Sequence, residues 1–132
     1  MMVIDTSAIV AIAFDEPEAR SIEQAIADES VRLVSAATVV EAAMVIESRY
    51  GETGGRELDL WLVRIGADIV PVDAYQAEEA RRAWRRFGKG RHPAGLNYGD
   101  CFSYALAKAR GVPLLFKGDD FGRTDIVAMD VR

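Results

Sequence analysis

The sequence offers little for redox or soft-metal chemistry: its 132 residues include one cysteine, Cys101, and one histidine, His92. A lone cysteine cannot close an internal disulfide. That excludes a disulfide-stapled scaffold and makes a reducing, cytoplasmic compartment the expected one. A zinc centre built from Cys and His ligands is excluded for the same reason. Cys101 falls in an apolar helical pattern and reads as a buried, inert thiol rather than a nucleophile. No apolar run is long enough to cross a bilayer, so no membrane partner is expected. No basic segment accompanies the apolar residues that follow Met1, and Asp5 interrupts them, so a signal peptide is not expected either. Repeats, low-complexity tracts and linkers are missing as well, and the length suits a single domain over residues 1–132.

Positive charge is the scarcer sign, with 16 Lys and Arg against 21 Asp and Glu and a net charge of −5. Taken alone this argues against a nucleic-acid partner, because phosphate contacts dominate such affinity. The distribution says otherwise. Arg81, Arg82, Arg85, Arg86, Lys89 and Arg91 stand close together, with His92 next to them. The arginines recur at three- and four-residue spacing on roughly one helical side. They suit either an RNA backbone or a solvated face paired with Glu78 and Glu79.

Hydrophobic periodicity predicts strands at Met2–Ile4, Val31–Val34, Ala67–Val72, Leu114–Phe116 and Ile126–Val131. Helices are predicted from Ala8 to Phe14, over 18–29 with Pro17 in the first turn behind an Asp15 or Glu16 cap, and from Ala36 to Tyr50, ended by Gly51. Three more follow, from Arg56 to Ile65, from a capping-box-like Asp73–Gln76 to Phe87, and from Tyr98 to Arg110, stopped by Gly111 and Pro113. Strands separated by helices pair in parallel through crossover connections, which makes the fold a compact α/β sandwich. Ligands of such sheets bind beyond the carboxyl ends of the strands.

Carboxylates collect at that edge. Asp5 ends the first strand, Asp119 and Asp120 follow the Leu114–Phe116 strand, Glu41 lies in the early turns of the third helix, and Asp100 lies in the first turn of the sixth. Like charges brought together repel unless a cation neutralises them. An all-oxygen donor set suits Mg²⁺ or Mn²⁺. Each residue also has a structural reading. Asn97–Asp100 and Thr38–Glu41 match the capping-box spacing. Asp5 can cap the first helix, and Asp119 and Asp120 can form a turn after Gly118. Spacing alone leaves both readings open.

Four stretches carry a resemblance. Val3-Ile4-Asp5-Thr6-Ser7-Ala8, Glu41 in the third helix, Asn97-Tyr98-Gly99-Asp100-Cys101-Phe102-Ser103-Tyr104 and Leu114-Leu115-Phe116-Lys117-Gly118-Asp119-Asp120-Phe121 resemble, in order and over the whole chain, the signature of PIN domains. The likeness is nearest to the VapC toxins of bacterial type II toxin–antitoxin pairs. It implies a three-layer α/β/α sandwich with a central, mainly parallel sheet. It also implies a Mg²⁺-dependent (or Mn²⁺-dependent) endoribonuclease acting on RNA such as tRNA or ribosomal RNA, a VapB-type antitoxin, and a homodimer.

By position, Asp5, Glu41 and Asp100 match the family's acidic residues. Asp120, beside Phe121, is a better fourth match than Asp119. Asp5 and Asp100 are then the direct metal ligands, Glu41 holds an ion through water or orients or deprotonates the attacking water, and Asp120 completes the pocket. Thr6 and Ser7 can contact phosphate or water, or simply cap. Asn97 can orient Asp100, and Lys117 can neutralise a carboxylate or touch phosphate. Surplus apolar surface on the helix pair 37–65 would seat an amphipathic antitoxin segment or a second copy. Two other acidic Mg²⁺ folds fit less well. A phosphoacceptor domain needs an acidic pair after its first strand, where Thr6 and Ser7 stand, and a dehalogenase-like phosphatase needs a second Asp at position 7. A PIN-like binding module without turnover is the alternative to an enzyme.

Overall fold

The computed structural model describes residues 1–129 and Val131. Four strands, β1 (Met2–Ile4), β2 (Arg32–Ser35), β3 (Asp68–Val70) and β4 (Leu114–Leu115), form one sheet in the order β3-β2-β1-β4. All pairings are parallel, with Val3 opposite both Leu33 and Leu114, and Ile4 opposite Leu115. Side chains alternate across the sheet, so the strands feed two cores. Val3, Leu33 and Leu114 enter one with Ala83, Phe87 and Tyr104, from α4 (Ala74–Phe87) and α5 (Tyr98–Arg110). Met2, Ile4, Val34 and Leu115 enter the other with Ile9, Ile22 and Ile46, from α1 (Thr6–Ala13), α2 (Ala19–Asp28) and α3 (Ala36–Arg64). The result is the expected three-layer α/β/α sandwich around a parallel sheet.

Local chemistry sets most boundaries. Asp73 accepts a hydrogen bond from Gln76 N (2.8 Å) and starts α4. Gly111, at φ 63°, ends α5 in the left-handed conformation that glycine adopts without penalty. Gly51, at φ 70° and ψ −166°, breaks α3 into the two expected helices, though the second resumes directly after it rather than at Arg56.

Three boundaries differ from expectation. Helix α2 starts at Ala19, and Pro17 precedes it. Asp15 takes a left-handed φ of 49° to reverse the chain, and Glu16 turns its carboxylate to Lys117 instead of capping. Strand β3 stops at Val70, because Pro71 has no N–H to continue the ladder. Among the described residues of the expected strand Ile126–Val131 there is a single parallel bridge, Leu114 to Ala128, with Leu114 N donating to Val127 O and Met129 N donating to Leu114 O (2.9 Å each). Asp130, within that stretch, lies outside the described residues. The two-residue β4 offers no longer edge to pair with. Among the described residues, no helix is long and apolar enough to cross a membrane.

Candidate metal-binding site

Asp5 leaves the carboxyl end of β1 and caps α1. Its Oδ2 accepts from Ser7 N (3.0 Å) and from Ser7 Oγ (2.7 Å). Ser7 Oγ in turn accepts from Lys117 N (2.9 Å), which ties the loop after β4 to the same carboxylate. These bonds lock the Asp5 side chain, which is only 2% exposed. They serve one oxygen only. Oδ1 is buried and has no hydrogen-bond partner. An unpaired buried carboxylate oxygen is costly, so one that persists in a rigid frame points to a ligand.

Glu41 approaches from α3. Thr6 Oγ1 donates to its Oε1 (2.5 Å). The expected Thr38–Glu41 capping box is not formed: Ser35 caps the helix, and Thr38 faces Ser103 (3.2 Å). Glu41 lies against the first turn of α5, where a Cβ on Gly99 would come within 2.0 Å of its Oε2. Any side chain at 99 would displace this carboxylate. Sequence reasoning missed Gly99, because its partner comes from another helix and nothing local marks the contact.

Asp100 does form a capping box: its backbone N donates to Asn97 Oδ1 (2.9 Å), and its Oδ2 accepts from Asn97 N (3.0 Å). The cap does not satisfy its charge. Burial, only partly offset by the Asn97 bond, and repulsion from Asp5, Asp120 and Glu41 push the Asp100 carboxyl up to about 7. The cap and the cluster are therefore two properties of one side chain. Asp120, exposed before the 3-10 turn Phe121–Arg123, adds to this repulsion. Lys117 points elsewhere, pairing with Glu16 (2.8 Å) and Glu18 (3.1 Å), so it neutralises those carboxylates rather than the cluster.

Among the described residues, no three acidic, His or Cys side chains are already drawn together as a ligand set. Hard oxygen donors, an orphaned buried oxygen and uncompensated negative charge fit a divalent ion such as Mg²⁺ or Mn²⁺.

The basic patch splits into two stripes. Arg82 pairs with Glu79 (2.5 Å), and Arg86 pairs with Asp125 (3.4 Å). Arg81, Arg85 and Lys89 face the other way, into a groove beside Tyr98. His92 is structural: its Nδ1 accepts from Ala94 N (3.0 Å), and its ring packs edge-on against Phe87. Cys101 is buried, and burial lifts its thiol to about 11, which keeps it unreactive. A second groove, of about 490 Å³, lies between α1 and α3, lined by Ile12, Ile46, Tyr50, Leu58 and Trp61.

Comparison with known proteins follows the same pattern. The PIN domain family model matches residues 2–127. The chain is 65% identical over 128 residues to a protein named ribonuclease VapC from Mycolicibacterium smegmatis, covering 97% of this chain and 99% of the relative. In fold it is similar to VapC20 of Mycobacterium tuberculosis, a sarcin–ricin loop cleaving toxin, with TM-score 0.79 at 17% identity over 96% of this chain and 97% of the other. It is also similar to a chain of the DNA-bound VapBC complex of Salmonella typhimurium, with TM-score 0.76 at 17% identity over 98% and 96% of the two chains.

Proposed function

The chain belongs to the PIN-domain family, among its VapC-type members, and from that premise we propose that it is a Mg²⁺-dependent endoribonuclease toxin restrained by a VapB-type antitoxin. The observation that carries the metal site is the locked Asp5 carboxylate with its second oxygen buried and unpaired. Asp5 and Asp100 would hold the ion, with Mn²⁺ an acceptable substitute. When bound, such an ion supplies Lewis-acid neutralisation of the phosphate and makes water a better nucleophile at neutral pH.

The protein's own groups do the remaining work. Ser7, itself anchored by Lys117 N, holds Asp5 in one rotamer so that Oδ1 points away from the cap. Thr6 binds Glu41 Oε1, which leaves Oε2 to orient the attacking water or take its proton. Asn97 holds Asp100 through Oδ2 alone and leaves Oδ1 for the ion. Asp120 adds negative charge at the mouth. The substrate is an RNA of the tRNA or ribosomal class, cut in the cytoplasm by a single domain spanning residues 1–132, working as a homodimer. The apolar groove between α1 and α3 seats an amphipathic antitoxin segment.

Cleavage of total RNA by the purified chain is the test. Activity should appear with Mg²⁺, vanish with a chelator, and fall by at least about 100-fold in Asp5→Asn. Full cleavage by Asp5→Asn would refute the assignment. RNA binding without cleavage in any divalent ion would mark the chain as a binding module.

A further inference from the structure

The groove between α4 and the start of α5 has no part in the chemistry above. It encloses about 670 Å³. Its floor is apolar, with Ala80, Leu96 and Cys101 all buried. Its walls are aromatic. Trp84 is 44% exposed and Tyr98 is 82% exposed, an unusual position for large rings. Both rings are held in place. Tyr98 packs edge-on against Phe102, with centroids 4.9 Å apart. The Cδ1–Nε1 edge of Trp84 abuts Gly88, where a Cβ would come within 2.4 Å of Cδ1, and the Arg91 guanidinium lies over one face of the ring at 4.7 Å, leaving the other face for a base.

The rim is cationic. Arg81, Arg85 and Lys89 all line the groove, while Glu78 balances only part of their charge through exposed pairs to Arg81 (3.1 Å) and Arg85 (3.3 Å). Exposed pairs of this kind are weak and can be exchanged for another anion. The groove also leads to the acidic cluster: Asn97 and Tyr98 line it, and Asn97 N is bonded to the Asp100 carboxylate.

We propose that this groove is a nucleobase pocket, in which one unpaired base of the RNA substrate stacks against Trp84 and Tyr98 while the adjoining phosphates pair with Arg81, Arg85 and Lys89. The proposal rests on the ribonuclease reading and adds to it a preference for single-stranded or splayed-out nucleotides. An exposed aromatic ring takes the π-face of any base, and cations beside it take the phosphates on either side. A base inside a duplex cannot reach such a platform.

The test uses the chain's two tryptophans. In a Trp61→Phe background only Trp84 fluoresces. With chelator present to prevent cleavage, a short single-stranded oligoribonucleotide should quench it saturably, and a blunt duplex of the same sequence should not. Tyr98→Ala, at a position too exposed to unfold the protein, should weaken binding roughly ten-fold. Arg85→Glu should weaken it and flatten its salt dependence. In cleavage assays Tyr98→Ala and Trp84→Ala should raise KM and leave kcat in place. The pocket is refuted if single strands do not quench, if the duplex quenches equally, or if KM is unchanged in variants of a chain that cleaves RNA. It is also refuted if Tyr98→Ala alters only the oligomeric size or capture of an acidic protein partner. If the parent chain never cleaves RNA yet the quenching pattern holds, the ribonuclease reading fails while the pocket stands.

Discussion

Helix α5 holds two carboxylate environments that differ in what balances the charge. Towards its C-terminal half, Asp125 receives the Tyr104 hydroxyl, the Lys108 ammonium (2.9 Å) and the Arg86 guanidinium (3.4 Å). Although burial works against it, these donors hold its carboxyl below the usual range. At the N-terminal end, burial and repulsion from three other carboxylates push the Asp100 carboxyl up to about 7, and among the described residues no basic side chain pairs with it. The first arrangement is complete in itself and clips the C-terminal segment to the fold. The second is incomplete, and its rigidity at Asp5 shows that the incompleteness is built in rather than a product of loose packing. The lesson is to look for function where charge has been gathered and left uncompensated.

Exchanging the two carboxylates should give the largest effects. Asp100→Asn should reduce metal-dependent RNA cleavage by at least about 100-fold. Asp125→Asn should leave cleavage near the parent level and instead lower the unfolding free energy from denaturant titration by about 1–2 kcal/mol, because it removes a charged acceptor that several groups share. If Asp125→Asn abolished cleavage with the fold intact, the contrast would collapse.

A smaller effect is expected at the contact that sequence does not reveal. Gly99→Ala places a methyl where Glu41 Oε2 now sits. It should cut cleavage roughly ten-fold by moving Glu41, with unchanged circular dichroism, since alanine suits a helix better than glycine. Unimpaired cleavage would show that Glu41 works from another position.

The smallest effect is on stability, and its sign differs between the two carboxylates. Asp100 is raised from an unfolded value near 3.8 to about 7. Its protonated form is favoured in the folded state, so its contribution to stability is full below the unfolded value and is lost as pH rises through about 7. Asp125 is lowered, so its contribution is present above the ordinary carboxylate value and is lost as pH falls through its folded value. Thermal melts in chelator should therefore show Asp100→Asn more stable than the parent at mildly alkaline pH and closer to it in acid. Asp125→Asn should be less stable than the parent at neutral pH and approach it in acid. An Asp100→Asn protein less stable than the parent throughout would contradict the charge account.

What the sequence revealed is local. The caps at Asp73 and Asn97, the break at Gly51 and the stop at Gly111 are set by side chains within a turn of the backbone they bond, so spacing exposes them. What it missed depends on distant partners. Apolar residues after Asp125 suggested a strand, but how long a strand can be depends on the edge it meets, and β4 allows one bridge. Lys117 looked like a counter-ion for the acidic turn beside it, yet Glu16 and Glu18, brought near by the α1–α2 reversal, take it instead. The acidic residues were visible one by one. Their shared, uncompensated field became visible only in three dimensions.

That field is tested most directly by adding a divalent cation. In chelator-treated protein at mildly alkaline pH, saturating Mg²⁺ should raise the melting temperature of the parent, corresponding to about 2.7 kcal/mol at a hundred times the dissociation constant. The same rise should appear in Asp125→Asn and be lost in Asp5→Asn. No rise in the parent, or an equal rise in Asp5→Asn, would contradict a metal site built on the buried, unpaired oxygen of Asp5.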